Sequence, residues 1–309
     1  MTTVLVTGAA GYIASYVLPA LRERFTLRLV DNRDRDGLGR TVDGLIVRDI
    51  SDIERMDEYR DLFRGVDAVV HLAFMRPPEG RAQASVLRRY LAERGNVDMA
   101  YLVYQLAVDE GVRRAVVASS NHAADFYEGA VRRGEMDMIS PDHPRPLSDN
   151  FYGWAKEAYE HLGFVYATGA VPSHTVTERP RRLEMVQIRI GAPRDLAITS
   201  FAGEAKGDPV ILDRDLGAWI SARDLGQLVA RSIEAPSIEN EHGVPFQVFY
   251  GISGNTRAFW SIANARKVIG YAPQDNSEVV FADEIRRFLV EPARERMVSG
   301  DRRGGLGHR

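Results

Sequence analysis

The sequence predicts an α/β fold: a doubly wound parallel sheet covered on both faces, with a small C-terminal substrate lobe laid over the sheet edge. Three observations predict it. Short apolar runs alternate with helical stretches through the first 190 residues, the signature of a parallel sheet built from strand–crossover–strand units. The first apolar run passes straight into a glycine-rich turn. After Gly191 the alternation breaks down, and Pro, Gly and Asp become frequent to about residue 215.

Taken in order, strands are expected at 3–7, 26–31, 44–48, 67–73, 113–119 and 184–190, with helices near 12–24, 52–64, 85–110 and 151–168. Right-handed crossovers would gather the strand C-termini at one edge, where ligands of such sheets bind. Ser221-Ala222-Arg223-Asp224 has the form of a capping box opening a helix to about Glu234. A strand at 246–250 and a helix near 259–269 follow. The expected division is a nucleotide-binding core over 1–190, a substrate lobe over 191–300, and a disordered tail over 301–309. No internal repeat is present.

The turn after the first strand reads Gly8-Ala9-Ala10-Gly11-Tyr12-Ile13-Ala14. This Gly-x-x-Gly-x-x-Ala spacing between a strand and a helix suits a dinucleotide pyrophosphate and marks a Rossmann-type sheet. Glycines let backbone approach the phosphates, and the helix N-terminus aims free N–H groups and a positive dipole end at them. The second strand ends in Asp31, placed to accept from a ribose 2′-hydroxyl and to repel a 2′-phosphate. The expected cofactor is therefore NAD over NADP, a preference that Arg33 and Arg35 could soften.

Tyr152-Gly153-Trp154-Ala155-Lys156 is the second motif. Twelve tyrosines and three lysines in 309 positions would give about 0.1 Tyr-x-x-x-Lys matches by chance. Residues four apart share a helix face, so the ammonium can stabilise a phenolate. That pair is suited to general acid–base work on an alcohol–carbonyl couple.

Bulk properties exclude several classes. The chain is 45% hydrophobic and 27% charged with net charge −3, and its six Arg-Arg pairs are scattered among acids, which gives no nucleic-acid footprint. No apolar run approaches a membrane span, and no signal-peptide pattern opens the chain, so a cytoplasmic enzyme is expected. Zero cysteines excludes disulfides and thiolate chemistry. The seven histidines show no ligand spacing, and no metal is assigned.

With these motifs placed, the chain resembles an extended short-chain dehydrogenase/reductase of the NAD-dependent epimerase/dehydratase superfamily, over nearly its whole length. Within that group it is most similar to uronate dehydrogenases. The resemblance is carried by Thr7-Gly8-Ala9-Ala10-Gly11, His71-Leu72, Asn96, Val116 to His122, Arg189-Ile190-Gly191, and Arg214 ahead of Trp219-Ile220-Ser221. It implies an NAD-dependent oxidation of a sugar or sugar acid, with Ser120, Tyr152 and Lys156 catalytic. The cofactor contacts it implies are Gly8, Ala10, Gly11, Tyr12, Ile13, Asp31, Asn32, Asp49, Ile50, Leu72, Ala73, Asn96, Ser119, Tyr152, Lys156 and Ile190. Asp49 resembles a residue that meets adenine, with a helix-entry role as the alternative. Asn96 matches an asparagine that supports the active-site lysine and a proton relay.

Substrate contacts are expected from Arg76, Ser120, Asn121, His122 and Arg214. Arg214 is either a bidentate clamp on a substrate anion or an arginine paired with Asp213 or Asp215. Three departures touch the pocket and leave the oxidation chemistry intact: Ala192 and Arg76 stand where relatives carry serines, and a segment over about 193–212 is additional. A nucleotide-sugar epimerase or dehydratase is the alternative on the same fold. Against it, Asn121-His122 replaces a dehydratase Asp-Glu pair, and Arg189 to Pro193 lacks the usual Asn-Val-Tyr-Gly-Pro-like run. A non-catalytic sensor would commonly lose the Tyr-Lys pair, which is kept. Pairing through the helices at 85–110 and 151–168 is implied by the resemblance, giving a homodimer.

Overall fold

The computed structural model describes residues 1–171, 181–195 and 208–290. The expected 301–309 tail and most of the additional segment lie outside the described residues.

The chain opens with β1 (Thr3–Thr7), α1 (Tyr12–Arg22), β2 (Thr26–Asp31) and β3 (Leu45–Val47), then a 3-10 stretch over Ile53–Leu62. β4 (Ala68–His71), α2 (Val86–Asp109) and β5 (Arg114–Ser120) follow, with a second 3-10 stretch over Asn121–Tyr127 running into α3 (Glu128–Arg132). α4 (Phe151–Thr168) and β6 (Glu184–Ile190) complete the region of strict alternation. The strands and long helices fall where the apolar runs predict them.

Seven strands form one sheet in the order β3-β2-β1-β4-β5-β6-β7, where β7 is Phe246–Gly251. All six pairings are parallel. Chain order reverses between β1 and β4, which creates a switch point where ligands of such sheets bind. Strands covered on both faces must be apolar throughout, and Val4, Leu5, Val6, Val69 and Val70 are all fully buried. The two faces form separate cores. One gathers α1, α6 (Ala222–Glu234) and the alternate side chains of the strands; the other gathers α2, α4 and the opposite set.

The sheet does not end at residue 190. β7 continues it through Met185↔Phe246 to Ile190↔Gly251, and α6 packs on α1, where Gly226 leaves room for Ala20. The expected capping box is only half made: the Ser221 hydroxyl accepts from Asp224 N at 3.1 Å at the start of α6, but Ser221 N donates to the Ser253 hydroxyl at 3.1 Å, and the Asp224 carboxylate accepts from that hydroxyl at 2.6 Å. Of the remaining helices, α7 (Ala263–Ile269) adds Ala265 and Ile269 to the core on the α1 face, while α5 (Pro209–Ala218), α8 (Ser277–Val280) and α9 (Ala282–Ile285) supply the smaller C-terminal layer. Its own cluster is Leu212, Leu216, Trp219 and Phe281. Among the described residues no helix is long and apolar enough to cross a membrane.

Candidate active site

The ends of β1, β2 and β4 are held level, with Thr7 paired to both Val30 and His71. The Thr7 hydroxyl meets His71 Nδ1 at 2.7 Å, and burial beside Lys156 drives the His71 pKa down to about 3, so the imidazole is neutral. From this level the chain turns into α1. Gly8 adopts φ +71°, and a Cβ there would lie 2.5 Å from Ala73 N. Gly11 folds back to bond Gly8 O at 2.9 Å and begins α1 without a side-chain cap. The first-turn N–H groups of Tyr12 and Ile13 therefore have no side-chain acceptor, the arrangement that receives an anion. Ala14, in the place of the third glycine, is fully buried where helix meets strand.

Asp31 closes the other rim. Its carboxylate accepts from Ala10 N at 3.0 Å and Arg33 N at 3.0 Å. Arg33 also reaches Ala10 O at 2.9 Å, bracing the glycine loop. Asn32 and Asp49 are exposed, and Asp49 accepts from Ser51 N at 2.9 Å while Ile50 is buried beneath. Leu72 N bonds Thr7 O at 3.0 Å, which brings Ala73 against Gly8. The Tyr12 hydroxyl bonds Tyr16 and the Pro193 carbonyl, and burial raises its pKa. Uncapped helix start, glycine cradle and oriented acidic rim together fit the pyrophosphate and adenosine ribose of NAD.

β5 and α4 carry Ser120, Tyr152 and Lys156. Ser120 ends β5 and its hydroxyl accepts from His122 N at 3.3 Å. Asn150 caps α4 by accepting from Gly153 N at 3.0 Å, and its amide donates to Asp125 at 2.9 Å. Asp125 also holds His122 Nδ1 at 2.5 Å, so one carboxylate ties the β5 turn to the start of the Tyr–Lys helix. A Cβ at Gly153 would collide with the His122 carbonyl and the Ser148 hydroxyl, so the close approach of turn and helix requires glycine.

Tyr152 is half-buried, with Phe74 and His122 edge-on to its ring at 5.4 Å each. Arg81 lies over that ring, 4.4 Å from its centre. Lys156 Nζ donates to Ala118 O at 2.9 Å, and the Tyr159 hydroxyl donates to the same carbonyl at 2.7 Å. Burial pulls the Lys156 pKa down to about 7, against the opposing pull of Glu93 and Glu160. Burial pushes the Tyr152 phenol up; hydrogen bonding to Ser120 and the charges of Arg81 and Arg76 draw it back, while Glu93 adds to the rise. The group can therefore exchange a proton with a substrate oxygen beside Ser120, with cations close enough to favour the phenolate.

The other expected residues divide. Ser119 turns its hydroxyl to Glu160 at 2.5 Å, and Glu160 in turn grips buried Arg189 at 3.0 and 2.7 Å, which makes the Ser119 side chain part of a structural network. Asn96 accepts from Met75 N at 2.7 Å and donates to Met75 O at 3.1 Å, pinning the β4–α2 loop. Arg76, on that loop, is exposed and has no ion-pair partner among the described residues.

Asn121 is buried with Ile190. In the orientation that satisfies both amide atoms it donates to Ile190 O at 3.0 Å and accepts from Arg214 at 3.1 Å. Arg214 closes its fork on Glu128, at 2.6 and 3.4 Å, with Asp215 at 3.6 Å. Asp213 meets Arg257 instead, at 2.5 Å. A cavity of about 270 Å³ between α3 and α5, lined by Arg132, Val210, Asp213, Arg214 and Arg257 among others, includes neither Tyr152 nor the glycine cradle.

Sequence reasoning missed four residues here. Asp125 and Glu93 stand three positions from His122 and Asn96, a spacing that could have flagged them. Arg81 carried no local signal, and Glu128 lies 86 residues from the arginine it holds.

A cradle for a dinucleotide beside a serine, tyrosine and lysine defines a Rossmann-type oxidoreductase site. The model of the NAD-dependent epimerase/dehydratase family matches residues 4–181, and the chain belongs to that family. It is 33% identical to an NAD-dependent glucose-6-phosphate dehydrogenase of Haloferax volcanii, over 91% of this chain and 97% of that one. It is 29% identical to a uronate dehydrogenase of Pseudomonas syringae pv. tomato, over 89% of this chain and 82% of that one. The structure of a glucuronic acid dehydrogenase from Chromohalobacter salexigens superposes with a TM-score of 0.65 at 27% identity, covering 93% and 89% of the two chains.

Proposed function

We propose that the protein is an NAD-dependent dehydrogenase that oxidises a carbinol carbon of a sugar or sugar acid. The observation that carries the reading is the convergence of Ser120, Tyr152 and Lys156 at the sheet edge that also holds the Gly8–Gly11 cradle and Asp31. The glucose-6-phosphate, uronate and glucuronic acid dehydrogenases among its relatives support the substrate class.

Bound NAD⁺ supplies the hydride acceptor, held by the cradle, the start of α1 and Asp31. The Tyr152 oxygen takes the proton of the reacting hydroxyl as that carbon gives up hydride and its C–O bond becomes a carbonyl. The Ser120 hydroxyl donates to the same substrate oxygen and stabilises its developing negative charge. Lys156 lowers the cost of the phenolate by its charge, and Ala118 O fixes where that charge sits. His122, oriented by Asp125, faces the Tyr152 ring and is placed to bond a neighbouring sugar hydroxyl. At an anomeric carbon the product is a lactone.

A substrate deuterated at the reacting carbon tests the reading. Deuterium should appear in the NADH formed and slow its formation. An epimerised sugar with no net NADH would replace the reading with the epimerase alternative.

The same reading includes a homodimer in the cytoplasm. What supports the dimer is an apolar strip along α2 and α4, where Val86 and Leu87 are 68% and 64% exposed beside Tyr90, Leu91, Phe151 and Trp154. Tyr90 of α2 stacks on Trp154 of α4 at 5.8 Å, which joins the two helices within the strip.

A further inference from the structure

Cations near Tyr152 are committed to different degrees. Arg214 is half-buried, with 16% of its side chain exposed, and its fork is filled by Glu128 at 2.6 and 3.4 Å. A substrate anion arriving there would have to displace a bonded carboxylate and leave it without its partner, which is costly. The β4–α2 loop is less committed. Arg81 lies over the Tyr152 ring and, among the described residues, makes one ion pair, to buried Glu93 at 2.9 Å, with 47% of its side chain exposed. Arg76 is exposed with no ion-pair partner among the described residues, and its charge reaches Tyr152. The loop that carries both is anchored just before them: Phe74 packs edge-on against Tyr152, and the Met75 backbone is bonded on both sides by Asn96.

We propose that Arg81, assisted by Arg76, is the anion receptor of this active site and that the group it receives is a phosphate on the sugar. The proposal rests on the dehydrogenase reading above. One guanidinium fork satisfies a carboxylate, whereas a phosphate dianion has three acceptor oxygens and can engage two guanidinium groups at once. Arg81 meets Glu93 through a single nitrogen, so the rest of its fork can receive the phosphate while Glu93 keeps its partner.

Values of kcat/KM with NAD⁺ for an aldohexose 6-phosphate, the matching free aldohexose and the matching hexuronate test it in wild type, Arg81→Gln and Arg81→Lys. The wild type should prefer the phosphorylated sugar. Arg81→Gln should lower the ratio of phosphorylated to free sugar about 30- to 100-fold, the effect of one lost charge-assisted hydrogen-bonding partner. Arg81→Lys, which keeps the charge and loses the fork, should lower it less. Taking the ratio removes any general effect of Arg81 on Tyr152. Equal losses on both sugars, or a wild-type preference for the hexuronate, would overturn the proposal.

Calorimetric titration of the aldohexose 6-phosphate into Tyr152→Phe protein, with and without Arg81→Gln, separates the two readings. Binding that disappears with Arg81 supports the receptor even if no sugar is oxidised, in which case the dehydrogenase reading fails alone. Binding unaffected by Arg81, or absent from both proteins, sinks the receptor.

Discussion

In the proposed reaction Tyr152 is the residue on which the chemistry turns, and its neighbours act through its proton. Tyr152→Phe should reduce turnover by about 10²-fold or more while NAD binding, measured by fluorescence titration, stays near the wild-type value. Burial sets the phenol pKa above its ordinary value, so the base form is scarce at neutral pH and the oxidation rate should climb with pH into the alkaline range. Ser120, Arg81 and Arg76 favour the phenolate, and Glu93 opposes it. Removing Arg81 should therefore move the alkaline limb to higher pH. Lys156 has the opposite linkage. Its folded pKa of about 7 lies below 10.5, so the unfolded chain binds more protons between those values and stability rises with pH across that window. Lys156→Met should abolish activity yet melt no lower than wild type at pH 7, with a stabilisation on the order of a few kcal/mol that vanishes towards pH 10.5. Equal melting differences at pH 7 and 10 would contradict this. The Tyr152–Lys156 pair was readable from its four-residue spacing, whereas Ser120 was assigned beside it through the family resemblance alone. The fate of Arg214 was not readable, because its partner Glu128 is distant in sequence and competes with two adjacent aspartates that look better placed.

At the scale of elements, two turns decide whether the site exists. The β5 turn and the start of α4 meet at Gly153, and Gly153→Ala should cost activity by pushing Tyr152 away from Ser120. Asn150→Ala removes both the α4 cap and the link to Asp125, with a loss of about 1 kcal/mol expected from the cap alone. Chemical denaturation of the two variants should rank Gly153→Ala as the more destabilised, since it adds a backbone collision where the other only removes bonds. Periodicity and caps made most elements legible, including Ser221 at the head of α6. What local pattern could not convey was the partner of Phe246–Gly251. A mostly apolar stretch of six fits a lobe or a sheet equally, and only the register against Met185–Ile190 assigns it to the sheet.

Across the whole molecule, seven parallel strands bring residues from β1, β2, β4, β5 and α4 to one edge, and the switch point between β1 and β4 opens the space they face. That convergence follows from topology, which alternating strands and helices already imply. The apolar strip on α2 and α4 lies outside that site, and Leu87→Lys should convert the dimer to a monomer in sedimentation velocity. A wild-type monomer would remove the dimer from the account. The central claim is tested most directly by absorbance at 340 nm, with NAD⁺ and a panel of free sugars, hexuronates and sugar phosphates, for the wild type and Tyr152→Phe side by side. NADH formation from at least one sugar, reduced about 10²-fold in Tyr152→Phe, is the predicted result. Silence across the panel, or equal rates in the two proteins, would contradict the account.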